Sequence, residues 1–326
     1  MDRCTIGLTP ISLLSTLLTC IACSSHLSKI PLGDIYHTHV FESDQPLVAE
    51  SGYQLWLPDE IETVRCIIFI NQRGAGKHLF YQDQRWRQLA ADLDAAILFG
   101  EFEAYSVRGN GYGQSILKAC EQFAVQLVRP ELRHTPFVLW GHSMGGRVAQ
   151  DFARFIPNRV VAFVIAMRAH PSEPAMMEEE DAAMQIPALY IMGADDNKPK
   201  DIYAHYEHAR KNGSPRAWVW VPKQKHWPAG MGHEGNQTTE SDWNKWSAND
   251  LVLPWIDAVV QLRMPVDAEK MDQPIRLRPI QTSKGWLGHL CTNEIMIYRN
   301  DDANDPAWSW FPTWQIAECW IEISRE

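Results

Sequence analysis

The segment FVLWGHSMGGRVAQ, Phe137 to Gln150, runs from an apolar stretch through a cluster of glycines into a helical pattern. Ser143 stands between Gly141 and the pair Gly145 and Gly146, in the G-x-S-x-G spacing of a turn that holds a serine hydroxyl clear of its own backbone. Val148, Ala149, Phe152 and Ala153 then recur at helical spacing until Pro157. The spacing alone is a weak signal, and the flanking elements give it meaning. Small residues on both sides let a strand and a helix approach closely while the serine takes an unfavourable backbone conformation. A helix beginning at once offers its positive dipole and the Met144 N–H to an oxyanion formed above Ser143.

Working outward, short apolar runs alternate with helical patterns. VRCIIFI (64–70), AAILF (95–99), FVLW (137–140), VVAFVIAM (160–167), ALYIM (188–192) and AWVWV (217–221) read as strands. Trp86, Leu89, Ala90 and Leu93 mark one intervening helix, and Ile116, Cys120, Phe123, Ala124 and Leu127 another, closed by Pro130. A helix at about 200–211 stops at Gly213, and Leu251 to Leu262 forms the last. This alternation predicts an α/β fold, a mostly parallel sheet with helices on both faces. GYQLWLP, beginning at Gly52, is expected as an antiparallel edge strand. The alternation stops near Pro265. An aromatic-rich C-terminal extension, 266–326, follows the 24–265 domain, and its ending PAWSWFPTWQIAECWIEI predicts a turn and a short helix packing Trp310, Trp314 and Trp320 on the main body.

With 326 residues, 45% of them hydrophobic, the chain can bury a full core. Its formal charge of -10 and the lack of a basic block argue against nucleic acid as a partner. Arg3 precedes an uncharged stretch, Ile11 to Ala22, and then Cys23, so residues 1–23 read as a secretory signal peptide too short to span a bilayer comfortably. Cys20-Ile21-Ala22-Cys23 also resembles a bacterial lipobox, which would put a membrane-anchoring lipid on Cys23, and ordinary cleavage near Ala22 is the alternative. Either way the protein is expected to be exported, periplasmic or extracellular. Cys66 and Cys120 lie in apolar patterns and read as buried thiols. Cys291 and Cys319 are a pair that an oxidising compartment could join. No Cys/His spacing suggests a metal outside the leader, and no cofactor is called for.

GHSMGG after the third strand of such a series resembles the nucleophile elbow of the α/β-hydrolase superfamily, and the resemblance covers about 50–265. Within it, DQRWRQLAADLDAAILFG (83–100), DLVLPWIDAVVQLRMP (250–265) and the aromatic tail are similar to exported bacterial esterase-like hydrolases, including those likened to polyhydroxyalkanoate depolymerases. The resemblance implies that an acid and a histidine follow Ser143 in that order. In IPALYIMGADDNK, Gly193 and Asp196 match a Gly-x-x-Asp pattern of the superfamily, with Asp195 the alternate and Glu173 a distant third. The loop KQKHWPAGMGHEGN (223–236) offers two bases. His226 follows Val221 closely, at Pro-x-x-x-His spacing from Pro222; His233, in Gly232-His233-Glu234, has the flanking residues many relatives show. The shorter excursion favours His226, because less chain must be ordered to aim the imidazole. A second oxyanion amide is expected from Gln72 or Arg73, where this chain has Asn-Gln-Arg-Gly-Ala-Gly in place of the common His-Gly, and Arg73 has a competing role as an anion-binding or surface residue.

The remaining candidates take plainer readings. His142, the variable elbow position, packs or bonds locally; His205 and His208 share a solvated helix face; His37 and His39 alternate on a strand. Trp218, Trp220, Trp227, Trp243 and Trp246 line either an acyl pocket or ordinary packing. The expected activity is cofactor-independent cleavage of a carboxylic ester, small or polymeric, through an acyl-serine. Acyl transfer or amide cleavage by the same triad, and an inactive exported binding protein, are the alternatives.

Overall fold

The computed structural model describes residues 31–40, 51–71, 77–102, 111–167, 181–196, 200–226, 248–265, 273–302 and 304–325. The leader, residues 1–23, lies outside them.

Eight strands form one sheet: β1 (Gly33–Val40), β2 (Ser51–Pro58), β3 (Cys66–Asn71), β4 (Ala95–Phe102), β5 (Phe137–His142), β6 (Val160–Ala166), β7 (Ala188–Gly193) and β8 (Arg216–Val221). Their order is β1-β2-β4-β3-β5-β6-β7-β8, with β1–β2 and β2–β4 antiparallel and every later pairing parallel. The helices among the described residues are α1 (Lys77–Gln82), α2 (Gln84–Asp92), α3 (Gly111–Gln126), α4 (Met144–Phe155), α5 (Asp181–Met184), α6 (Lys200–Lys211), α7 (Ala248–Arg263) and α8 (Trp314–Arg325).

Parallel strands covered on both faces read as unbroken apolar runs, and β3, β5, β6 and β7 are buried along their whole length. Alternate residues feed two cores. Ile68, Ile70, Val138 and Trp140 pack with Trp86 and Leu89 of α2 and with Leu251 and Trp255 of α7. Ile67, Phe69, Phe137 and Leu139 pack with Ile116 and Phe123 of α3 and Phe152 of α4. Asp83 caps α2, its carboxylate accepting the Arg85 N–H at 2.9 Å, a contact that typically stabilises a helix by about 1 kcal/mol.

Two expectations are corrected. GYQLWLP is the second strand of the sheet, not its edge, because β1 pairs along its outer side from Gly33 against Pro58 to Val40 against Ser51. β1 is the strand on which His37 and His39 were expected to alternate, and both are exposed; with no apolar run, nothing in it announced a place beside β2. The extension also holds more than a turn and a helix. A three-stranded antiparallel sheet, β9 (Trp286–His289), β10 (Ile295–Ile297) and β11 (Trp308–Phe311), runs in the order β10-β9-β11 before α8.

The extension shares the main core. Phe311, Ile316, Ala317, Trp320 and Ile323 join the cluster that contains α2 and α7. The Trp218 N–H of β8 donates to Ser309 Oγ at 2.8 Å, and the Trp218 carbonyl accepts from Trp320 Nε1 at 2.9 Å. The outer edge of the last strand is thereby covered by tail side chains rather than left open. Trp310 and Trp314 depart from expectation: Trp310 packs with Leu287 and Trp308, and Trp314 edge-on against Trp286, both within the extension. Cys291 and Cys319 are free thiols, as are Cys66 and Cys120, and burial pushes the latter two up to about 12. No helix of the described residues is long and apolar enough to cross a membrane.

Candidate active site

β5 delivers Ser143 at the carboxyl end of the sheet, and α4 starts at the next residue. Ser143 has φ 56° and ψ -117°, a conformation L-residues rarely adopt and one that costs on the order of 1–3 kcal/mol. Two flanking glycines make it attainable. A Cβ on Gly141 would lie 2.1 Å from the Gly145 carbonyl oxygen, and one on Gly145 would lie 2.0 Å from the Asn71 carbonyl oxygen. Strand, turn and helix therefore approach at distances that no side chain permits. The Ser143 N–H donates to the Ala166 carbonyl of β6 at 2.9 Å, and the Gly146 N–H to the Ser143 carbonyl at 3.1 Å. Met144, the first residue of α4, lies in the turn whose amides have no carbonyl four residues back, which suits it to an oxyanion.

The turns after β7 and β8 bring up the partners. His226 Nε2 is 3.0 Å from Ser143 Oγ, and His226 Nδ1 is 2.8 Å from Asp196 Oδ2. The Asp196 side chain is 3% exposed and that of His226 16%, so the carboxylate is shielded while the imidazole keeps access. The Asp196 N–H closes its turn on the Gly193 carbonyl at 3.1 Å. The Ala194 N–H donates to the Val221 carbonyl at 2.9 Å, and the Asp195 N–H to the Gln224 carbonyl at 3.0 Å, which ties the turn after β7 to the turn after β8. Gly193 permits that contact, since its Cβ would meet the Gln224 oxygen at 2.2 Å. Asn71, buried at the end of β3, donates from Nδ2 to the Gly100 carbonyl of β4 at 2.9 Å and fixes the strand end beside the elbow.

Ser143, Asp196 and His226 thus meet, with Met144 beneath. Asp195 is exposed and contributes its backbone to the turn. His233, Gln72, Arg73 and Glu173 lie outside the described residues, as do Trp227, Trp243 and Trp246. Trp218 is core, stacked on Tyr190 with ring centroids 5.8 Å apart. His205 is corrected from a solvated face to a buried site. Its Nε2 lies 2.7 Å from Gln150 Nε2 and its Nδ1 3.2 Å from Tyr190 OH, because that side of α6 turns inward against β7 and α4. Among the described residues no group of three or more His, Cys, Asp or Glu is placed to hold a metal.

One residue at the site packs as expected but finds its hydrogen-bond partner far along the chain. His142 is buried, and its partner is distant in sequence: Nε2 lies 3.0 Å from the carbonyl oxygen of His226, and the two rings are 5.5 Å apart. Burial pushes its pKa down to about 4, so the ring is neutral near pH 7. Its position in the elbow motif carries no signal of this contact, which exists only once the turn after β8 has folded back.

No protein-family model matches the chain, and no curated protein matches it. Solved structures do. A structure from work on two fungal esterases of Rhizomucor miehei aligns over 72% of this chain and 85% of its own, at 14% identity and a TM-score of 0.50. A ferulic acid esterase aligns over 70% and 99%, at 12% identity and a TM-score of 0.49. FphF, a fluorophosphonate-binding serine hydrolase of Staphylococcus aureus, aligns over 69% and 98%, at 12% identity and a TM-score of 0.47. At such identities the likeness is one of fold. With the strand order above, the chain has the α/β-hydrolase fold, extended by the C-terminal sheet and helix.

Proposed function

We propose that this protein is a serine hydrolase that cleaves a carboxylic ester through an acyl-enzyme. The observation that carries the reading is the continuous relay Ser143 Oγ, His226, Asp196, at 3.0 and 2.8 Å, on a serine held at positive φ over a helix N-terminus. That the Rhizomucor miehei structure, from work on esterases, shares the fold is in keeping with it, although a fold alone does not assign chemistry.

In this reading Ser143 Oγ attacks the ester carbonyl as His226 Nε2 takes its proton. Asp196, accepting from Nδ1–H, holds the ring in the required tautomer and stabilises the imidazolium. The Met144 N–H donates to the oxyanion. Collapse of the tetrahedral intermediate passes the proton from His226 to the departing alcohol. Water, deprotonated by His226, then releases the acid and regenerates the serine.

The test is labelling by a fluorophosphonate alongside hydrolysis of esters of increasing acyl length. Wild type is expected to label and turn over, and Ser143→Ala to fold, lose labelling and lose turnover by roughly 10⁴-fold or more. Retention of more than about a tenth of wild-type turnover by that variant would place the nucleophile elsewhere.

A further inference from the structure

The elbow and the base are joined by a contact that the relay itself does not require. We propose that His142 is a positioning residue, which fixes the base by donating its ring Nε2–H to the main-chain carbonyl of His226. The inference rests on the reading of Ser143 and His226 as nucleophile and base.

Nε2 and the His226 oxygen are 3.0 Å apart, and a carbonyl oxygen only accepts, so the ring nitrogen that faces it carries the proton. His142 is 1% exposed, and a polar ring buried so deeply costs free energy unless it is bonded. The contacts of Ala194 with Val221 and of Asp195 with Gln224 fix the turn after β8 as far as Gln224. His142 reaches two residues further, to the base itself. The result is a closed circuit. Ser143 is joined to His142 by one peptide bond, His142 to the backbone of His226 by a hydrogen bond, and the His226 ring to Ser143 Oγ at 3.0 Å. The spacing between nucleophile and base is then set by a path of two neighbouring residues, rather than by 83 residues of chain. The tilted ring of His142, 5.5 Å from that of His226, also backs the imidazole that must serve first the serine and then the leaving group without swinging away.

Two substitutions in the full chain separate the hydrogen bond from packing. His142→Leu removes the donor, and His142→Gln returns an amide N–H at similar reach. The expected result is a kcat for ester hydrolysis reduced roughly 10- to 100-fold in His142→Leu, with KM within about twofold, and restored to at least roughly a third of wild type in His142→Gln. A folded Leu variant with wild-type kcat, or a Gln variant as slow as the Leu one, overturns the proposal. If His142→Leu does not fold, the wild-type ring decides. In ¹⁵N-labelled protein the His142 resonances must report a protonated Nε2, and a proton on Nδ1 alone refutes the bond. Failure here is separable from failure of the functional reading. An inactive Ser143→Ala with a fully active His142→Leu removes only this proposal. An active Ser143→Ala removes the nucleophile and leaves the ring tautomer to judge the contact.

Discussion

Ser143 keeps its φ of 56° because neither Gly141 nor Gly145 has a side chain, and the added atom at each would strike backbone rather than a movable side chain. Gly145→Ala drives a methyl to 2.0 Å from the Asn71 carbonyl, where β3 and α4 are both held by the sheet. The variant is expected to lose about 1–3 kcal/mol in urea denaturation and to acylate at least roughly tenfold more slowly. Gly52→Ala is the control, since its Cβ meets the nearest atom, of His39, at 3.7 Å, and a change below about 1 kcal/mol is expected there. An unperturbed Gly145→Ala would mean that the elbow relaxes where the packing says it cannot. At this scale Ser143, Asp196 and His226, which the fold brings together, were legible from their places at strand ends. His142 and His205 were not, because each finds its partner on another element, and no periodicity records such a meeting.

Elements were legible in proportion to how completely they are buried. β3, β5, β6 and β7 have no exposed face and read as apolar runs, whereas β1 alternates and β9 to β11, of three or four residues, are too short for any period to show. The tail's aromatics signalled packing on the main body without saying which of them make it. α8 answers that: Trp320 is 1% exposed, packs on Phe311 and donates to the Trp218 carbonyl of β8. Trp320→Ala removes a large buried ring and leaves that edge carbonyl only the longer bond from Ser309 Oγ, at 3.4 Å. A loss of about 3–5 kcal/mol is expected, as a lower urea midpoint of a single transition with unchanged slope. A separate, earlier transition of the tail with an unmoved main midpoint would show instead that the extension is a unit of its own.

For the molecule as a whole, the burial of His142 links the candidate site to acid stability. Desolvation is the largest cause of its shift, the neighbouring His226 lowers it further, and the His226 carbonyl and Asp196 oppose it, with a net result near 4 against about 6.5 for an exposed ring. The sign follows from proton counting. Between these two values the unfolded chain binds a proton that the native state refuses, so this contribution is fully present above pH 6.5 and is lost as the pH falls toward 4. The span corresponds to about 3 kcal/mol, a large share of the stability of an ordinary domain. Other groups also titrate in this range, so the measurement is a difference. The urea midpoint of wild type is expected to fall relative to that of His142→Gln as the pH drops from 7 to 4, because glutamine has no proton to gain. Parallel curves would mean that His142 accepts a proton in the folded protein as readily as in the unfolded chain, and that the ring is not held neutral against His226.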